Sequence, residues 1–312
     1  MDPSAVCGVL VSYHPDAGLP QRLARLAAQL GALIVVDNAS NPTAIAMLER
    51  LAASGIAAGA GAPVLPVSLE RNERNLGIGQ ALNRGIAAAM RRGFSWVLLM
   101  DQDSEVHPEL VRALLDIVAG HPSPQRIALV GAGYEDPIEN ASAAARAPAG
   151  EAGAPGYDPV EWVITSGSLL CLAAYRVIGP FREEFFIDCV DLEYGVRARA
   201  HDYLVLRARA PLMSHRIGNP SEHRLLGRSK WTSNHSPDRR YYRARNDTVM
   251  LRESGRYGAG RWRLKSLARS LRTCKRVLLY EGDKWAKVRG VLEGWWDGVH
   301  GRLGIRGERP GR

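Results

Sequence analysis

The chain is short of the features that mark secreted, zinc-clustered or membrane-spanning proteins. Its 312 residues include only four cysteines, Cys7, Cys171, Cys189 and Cys274. They stand far apart with no Cys-x-x-Cys pair, so neither a zinc cluster nor a disulfide framework is indicated, and a reducing, cytoplasmic compartment is expected. No stretch approaches the ~20 apolar residues of a membrane-spanning helix. The first residues run from Met1 almost directly into Val6-Cys7-Gly8-Val9-Leu10-Val11 with no basic segment ahead, so a signal peptide is not expected. No internal repeat is visible. After the first strand comes Tyr13-His14-Pro15-Asp16-Ala17-Gly18 instead of Gly-x-Gly-x-x-Gly. The turn that holds a dinucleotide pyrophosphate is therefore missing, which weakens an oxidoreductase reading.

Acidic residues are scarce in one place only. Residues 261–312 hold 14 Lys and Arg against 5 Asp and Glu, whereas the first 260 residues hold 27 of each, so the net charge of +9 resides in the tail. A neutral body with a basic tail suggests that the tail alone addresses an anionic surface. A nucleic-acid-binding protein is the reading from a different class. It gives no role to the acidic residues below and lacks a readout motif, so no nucleic acid partner is expected. Within the tail Leu264, Leu267, Leu271, Cys274 and Leu278, then Trp285, Val288, Leu292, Trp295 and Val299, form a helical stripe. Such a stripe either lies in a membrane interface on the inner leaflet or packs against the body of the protein.

With 46% hydrophobic residues the chain has ample material for a core. Short apolar runs alternate with helical patterns through the first half, the signature of an α/β fold with a parallel sheet covered by helices. Strands are predicted at 6–13, 33–37, 64–69, 96–100 and 127–131, with helices at 19–30, 43–53, 78–91 and 108–118. Residues 139–156, rich in Ala, Gly and Pro, read as a surface loop. A second block follows, with a strand at 163–172, a helix near 190–201 and extended segments at 203–206 and 212–215. The expected organisation is one domain over 1–260, in two parts at about 1–135 and about 157–250, followed by the basic helical tail 261–312.

Polar residues of interest fall just after the strands. Trp96-Val97-Leu98-Leu99-Met100 stops at Asp101-Gln102-Asp103, and strand alternation puts both carboxylates on one side with Gln102 opposite. Paired carboxylates there suit a hard divalent cation held against a phosphate, or else a turn or helix cap. If 190–201 is helical, Asp191 and Glu193 point about 200° apart, while Asp188 is placed to cap the helix. Residues 207–245 are crowded with Arg and His, which suits a diphosphate or an anionic acceptor, and Arg245 is the favoured contact. Tyr241 and Tyr242 either stack on sugar or pack.

Taken in order, these elements resemble glycosyltransferase family 2 with the GT-A fold, over most of the chain. The matching residues are Val11-Ser12-Tyr13, Val35-Val36-Asp37-Asn38-Ala39-Ser40, Asn75-Leu76-Gly77-Ile78-Gly79 with Asn83 and Gly85, Asp101-Gln102-Asp103, Ser166-Gly167, Phe186-Ile187-Asp188-Cys189-Val190-Asp191-Leu192-Glu193 and His215-Arg216-Ile217-Gly218. Asp-Gln-Asp-Ser, the Phe-Ile-Asp-x-Val-Asp-x-Glu run and Arg240-Tyr241-Tyr242-x-x-Arg245-Asn246 look like the rhamnosyltransferases of that family. The resemblance implies a donor site around Val11, Tyr13, Asp37, Asn75, Gly77, Asp101, Gln102 and Asp103, with Asp37 accepting a hydrogen bond from the pyrimidine and Gly77 lying close to the nucleotide. It implies Mg²⁺ or Mn²⁺ on Asp103 and His215, an acceptor side including Ser166, Gly167 and Asp188, and Asp191 as general base, although most members have Glu where this chain has Val190. The activity implied is inverting transfer of L-rhamnose from dTDP-L-rhamnose to a glycolipid, mono-rhamnolipid first, with O-antigen or other cell-surface polysaccharide intermediates as the alternative acceptor.

Overall fold

The computed structural model describes residues 2–59, 61–135, 156–214, 221–225, 228–232, 234–253, 255, 274–275 and 277–308. In chain order its elements are β1 (Val6–Ser12), α1 (Leu19–Ala27), β2 (Ala32–Asp37), α2 (Pro42–Ser54), β3 (Ile56–Ala57), β4 (Val64–Leu65), β5 (Val67–Arg71), α3 (Ile78–Arg91), β6 (Trp96–Asp101), β7 (Glu105–Val106), α4 (Leu110–Gly120) and β8 (Ile127–Glu135). There follow β9 (Tyr157–Pro159), β10 (Ser168–Cys171), α5 (Leu172–Ile178), α6 (Val190–Ala200), β11 (Leu204–Ser214), β12 (Ser221–Leu225), β13 (Arg228–Thr232), α7 (Pro237–Glu253) and α8 (Lys284–Val299).

Nine strands make one mixed sheet in the order β5-β2-β1-β6-β10-β8-β11-β7, with β9 on β11. The neighbours β5, β2, β1 and β6 are parallel, because helices carry the chain back between them. Every residue of β2 is buried, so its apolar run shows no alternation. On one face Leu82 and Ile86 of α3 pack with Val9, Ile34 and Val36. On the other, Leu23 of α1 and Leu110 and Leu114 of α4 pack with Leu10, Leu33 and Leu98. This is the α/β architecture expected. Antiparallel β10 lies between β6 and β8, so strands from both sequence halves share one sheet.

The strand expected at 64–69 divides into β4, paired with β3, and β5, paired with β2, and three further elements differ from the sequence reading. The strand expected at 163–172 covers only Ser168–Cys171, because Gly167 turns at φ +70° and the Ser168 amide donates back to the Thr165 carbonyl. The segments at 203–206 and 212–215 are one strand, β11, with register shifts around Pro211. Helix α7 shows no apolar stripe in the sequence because its buried residues include Arg240, Arg245, Asn246 and Asp247.

In the tail, α8 packs along α7 through small residues. A Cβ on Gly290, Gly294 or Gly298 would stand 2.5, 2.2 or 2.6 Å from the carbonyl oxygens of Pro237, Tyr241 and Arg245, so two i, i+4 rows meet backbone to backbone. The interface carries polar links: Lys287 to Glu281 at 3.0 Å, Arg240 to Glu281 at 2.5 Å, and the Tyr241 hydroxyl donating to Asp297 at 2.8 Å. The stripe of Trp285, Leu292, Trp295 and Val299 faces away and is exposed. The first part of the expected tail helix, and the loop at 139–155, lie outside the described residues.

Candidate active site

Strands β1, β2 and β6 end side by side, with Ser12 opposite Asp37 and Val11 opposite Asp101. This carboxyl edge is where ligands collect in open α/β sheets. Asp37 is buried; one carboxylate oxygen accepts from the Ser40 amide at 3.0 Å, while its Oδ1 has no hydrogen-bond partner among the described residues. An unmet buried acceptor costs about 1–3 kcal/mol, and a ligand N–H aimed at it would remove that cost. Half-buried Val11 and exposed Tyr13 border the same edge.

Gln102 is expected at the nucleotide sugar, but its side-chain amide is committed elsewhere. Its Oε1 accepts from the Tyr13 amide at 2.8 Å and its Nε2 donates to the Tyr13 carbonyl at 3.0 Å, so it ties the ends of β1 and β6 together. Asn38 does the same for the following loop, accepting from Asn72 Nδ2 and the Leu76 amide and donating to the Gly77 carbonyl. Asn75 Oδ1 accepts from the Gly77 amide at 2.9 Å. Gly77 is needed for a reason other than the approach of a nucleotide: its φ is +83°, and a Cβ would stand 2.5 Å from the Phe186 carbonyl.

Carboxylates from distant stretches converge beyond β6. The Asp101 carboxyl is pushed up to about 7, first by burial and then by the negative charges of Asp103 and Asp191, with Arg239 opposing. The Asp191 carboxyl is pushed up to about 6, again chiefly by burial; the Leu192 amide donating to its Oδ1 and the Arg243 charge pull it down, and Asp188 pushes it up. Hard oxygen donors crowded in this way fit a divalent cation shared with phosphates. Among the described residues there is no group of three or more His, Cys, Asp and Glu ready to hold a metal ion, so substrate oxygens would have to complete the shell. His215, expected as a further ligand, lies outside the described residues.

Ser166 and Gly167, expected on the acceptor side, are buried and brace the end of β6. Ser166 Oγ accepts from the Asp101 amide at 3.1 Å and lies 2.7 Å from Ser104 Oγ, while the Gly167 amide donates to the Leu99 carbonyl. They position Asp101 from beneath.

Helix α6 supplies Asp191. Its N-cap is Cys189, with no side-chain capping bond, so Asp188 does not cap the helix as expected. Asp188 instead pairs with Arg239 at 3.1 Å and Arg243 at 3.8 Å, since two guanidinium groups on α7 outcompete a backbone amide for its carboxylate. Glu193 is fully buried and forks onto Arg197, which removes it from the contest for the base. The loop before α6 holds Phe186, Asp188 and Cys189 at φ 62°, 62° and 63°, a left-handed conformation costing about 1–3 kcal/mol per non-glycine residue.

Two expectations on α7 are corrected. Arg245, favoured for the diphosphate, is buried, and its guanidinium donates to the carbonyls of Glu184, Phe185 and Gly304. Tyr241 and Tyr242 are buried as well: the Tyr241 hydroxyl donates to Asp297, and Tyr242 stacks on Phe186 at 4.7 Å and accepts from the Arg306 amide. The arginines beside the carboxylates are Arg239 and Arg243, which the sequence reading missed. Helical spacing was the available signal: residues 239, 243 and 247 share one face, and Arg245 lies about 200° from Arg243.

Residues 9–130 match the family model of glycosyl transferase family 2, a stretch running from β1 into β8. The chain is 28% identical over 262 residues to the dTDP-rhamnosyl transferase RfbF of Shigella flexneri, covering 80% of this chain and 81% of that protein. Among solved structures it is similar to GalNAc-T7 crystallised with UDP, GalNAc and Mn²⁺, at a TM-score of 0.47 and 14% identity over 74% of this chain. It spans 45% of the length of that chain. The stretch similar to glycosyl transferase family 2 includes β2, β5 and β6 and the strand edge at which Asp37 and Asp101 stand.

Proposed function

We propose that the protein is an inverting glycosyltransferase that moves L-rhamnose from dTDP-L-rhamnose to a hydroxyl of a lipid-linked saccharide in O-antigen or other cell-surface polysaccharide synthesis. The observation that carries this reading is the meeting of Asp101, Asp103 and Asp191 beside the carboxyl edge that ends in Asp37. The likeness to a dTDP-rhamnosyl transferase supports the donor. It favours the polysaccharide alternative over mono-rhamnolipid, the acceptor first expected.

In this mechanism Asp37 Oδ1 accepts from the ring N–H of thymine. Asp191 takes the proton of the acceptor hydroxyl as that oxygen attacks the anomeric carbon from the side opposite the diphosphate, which inverts the centre. Its raised carboxyl suits a base that works near neutral pH. Asp103, with Asp101 beside it and His215 as a further candidate, would hold a Mg²⁺ or Mn²⁺ ion, which supplies neutralisation of the departing diphosphate. Arg239 and Arg243 add fixed positive charge close by.

A lipid-linked acceptor brings the reaction to the inner face of the membrane, where we place α8. Trp285, Leu292, Trp295 and Trp296 are 84, 61, 52 and 52% exposed on the face opposite its glycines, and residues 261–276 add seven Lys and Arg with no acid. Among the described residues no helix is long and apolar enough to cross a membrane.

The test is to incubate the protein and Mg²⁺ with a panel of nucleotide sugars, each with a lipid-linked O-antigen saccharide or with mono-rhamnolipid, and to follow release of nucleoside diphosphate. dTDP release only with dTDP-L-rhamnose and the saccharide is expected. Turnover of another sugar nucleotide overturns the donor, and turnover with mono-rhamnolipid alone overturns the acceptor. Sedimentation with anionic vesicles should carry down the protein, and a Trp295→Ser/Trp296→Ser variant should stay in solution.

A further inference from the structure

The Arg245-Asn246 pair stands out in the sequence, yet neither residue reaches the carboxylates. Its bonds run to the loop that leads into α6. Asn246 is fully buried, and its Nδ2 donates to the carbonyls of Phe185, Ile187 and Asp188, each at 2.9 Å. Arg245 donates through Nε to Asn246 Oδ1 at 3.0 Å and through NH2 to the carbonyls of Glu184 and Phe185. The remaining loop carbonyl, that of Phe186, points the other way and accepts from the Ile78 amide at 2.7 Å. All five carbonyls from Glu184 to Asp188 are thereby occupied, and the left-handed residues 186, 188 and 189 turn them to where these donors sit. A conformation of this kind persists only where its surroundings over-determine it.

Beyond α8 the chain closes the brace. The Gly304 amide donates to the Glu184 carbonyl at 2.9 Å, and its own carbonyl accepts from Arg245. Gly304 has φ +88°, with nothing within 4 Å of a Cβ position, so its glycine answers to backbone conformation alone. The Cys189 carbonyl, one residue past the braced set, accepts the Glu193 amide and starts the helix that carries Asp191.

We propose that Asn246 is a positioning residue for the reaction, fixing Asp191 through the loop 184–189, with Arg245 and Gly304 completing the brace. The inference rests on Asp191 being the base. Asparagine is the side chain that fits: an aspartate would set a carboxylate against three carbonyl oxygens, and a smaller residue would leave those of Ile187 and Asp188 unpaired.

The test separates positioning from bulk stability by a kcat against KM split. Asn246→Ser, measured per folded molecule, should lose kcat by about tenfold or more, the scale of a sub-ångström misplacement, while its affinity for dTDP stays within about twofold of the parent. Adding Cys189→Gly, which takes the left-handed conformation freely, should return about threefold of the loss. Gly304→Val, where an added Cβ meets nothing within 4 Å, should lower kcat by about threefold with unchanged dTDP affinity. A folded Asn246→Ser protein with parental kcat overturns the inference, as does parental kcat in Gly304→Val if Asn246→Ser does not fold. Asp191→Asn is run in parallel. If it keeps turnover, the base assignment fails; if it is inactive while Asn246→Ser is unimpaired, only the positioning inference fails.

Discussion

The strand-end cleft and the α7–α8 pair both bury polar groups, and they treat them in opposite ways. In the cleft, Asp37 Oδ1 has no partner among the described residues, and desolvation with the charges of Asp103 and Asp191 raises the proton affinity of half-buried Asp101. Between the helices, Tyr241 meets Asp297, Lys287 meets Glu281, and Asn246 meets three carbonyls. Unmet acceptors and crowded like charges mark the first region; opposite charges and shared protons, Arg240 Nε excepted, mark the region that holds it still. Arg245 shows why residue type alone misleads, since an arginine near a proposed diphosphate site belongs to the second kind.

That contrast breaks most sharply at the proposed base. Asp191→Asn should cost about 10³-fold in kcat while leaving the fold and dTDP binding intact, read by steady-state kinetics and nucleotide titration. Asp103→Ala should weaken Mg²⁺-dependent donor binding by about 100-fold and leave metal-free binding unchanged, measured by calorimetry with and without the ion. If both variants bind and turn over normally, the crowding of acids at the cleft has no functional meaning.

Acidity gives the next effect. Asp191 must be ionised to accept a proton, so with its carboxyl pushed up to about 6 the rate should fall about tenfold per pH unit below that value. Stability should move the other way. A carboxyl raised on folding makes the native state weaker as pH climbs from its ordinary 3.8 toward the raised value, and Asp101 rises to about 7. Asp101→Asn should therefore raise the Tm at pH 8 and leave it little changed at pH 4, measured by thermal denaturation. The smallest effect lies at the helix pair. Gly294→Ala puts a methyl where the gap to the Tyr241 carbonyl is 2.2 Å and should cost about 1–3 kcal/mol in urea unfolding. An exposed neighbour such as Leu292→Ala should cost far less.

The first half of the fold was legible because its strands are buried on both faces and its helices on one. The unbroken apolar runs that end at Asp37 and at Asp101 show this pattern directly, and Leu82 and Ile86 announce α3. The second half was less legible, since α7 is held by polar contacts that leave no apolar period, and α8 packs by Gly290, Gly294 and Gly298, which a hydrophobicity reading passes over. For the same reason the apolar stripe of the tail offered two readings, membrane face or packing face, whereas the glycines, which allow the closer approach, were passed over. Site chemistry followed the same division: Asp37 and Asp101 sit where a strand ends, whereas Arg239 and Arg243 needed the helix to be known first.

The outward tryptophans of α8 have a practical consequence. Three of the seven in the chain, Trp285, Trp295 and Trp296, share one exposed helix face, so they act as an unlabelled optical reporter of whatever touches that face. Their emission should shift to the blue when a bilayer or a second protein covers them. A sugar nucleotide entering at Asp37 should leave it unmoved, so a single cuvette separates events at the helix face from events at the strand-end cleft.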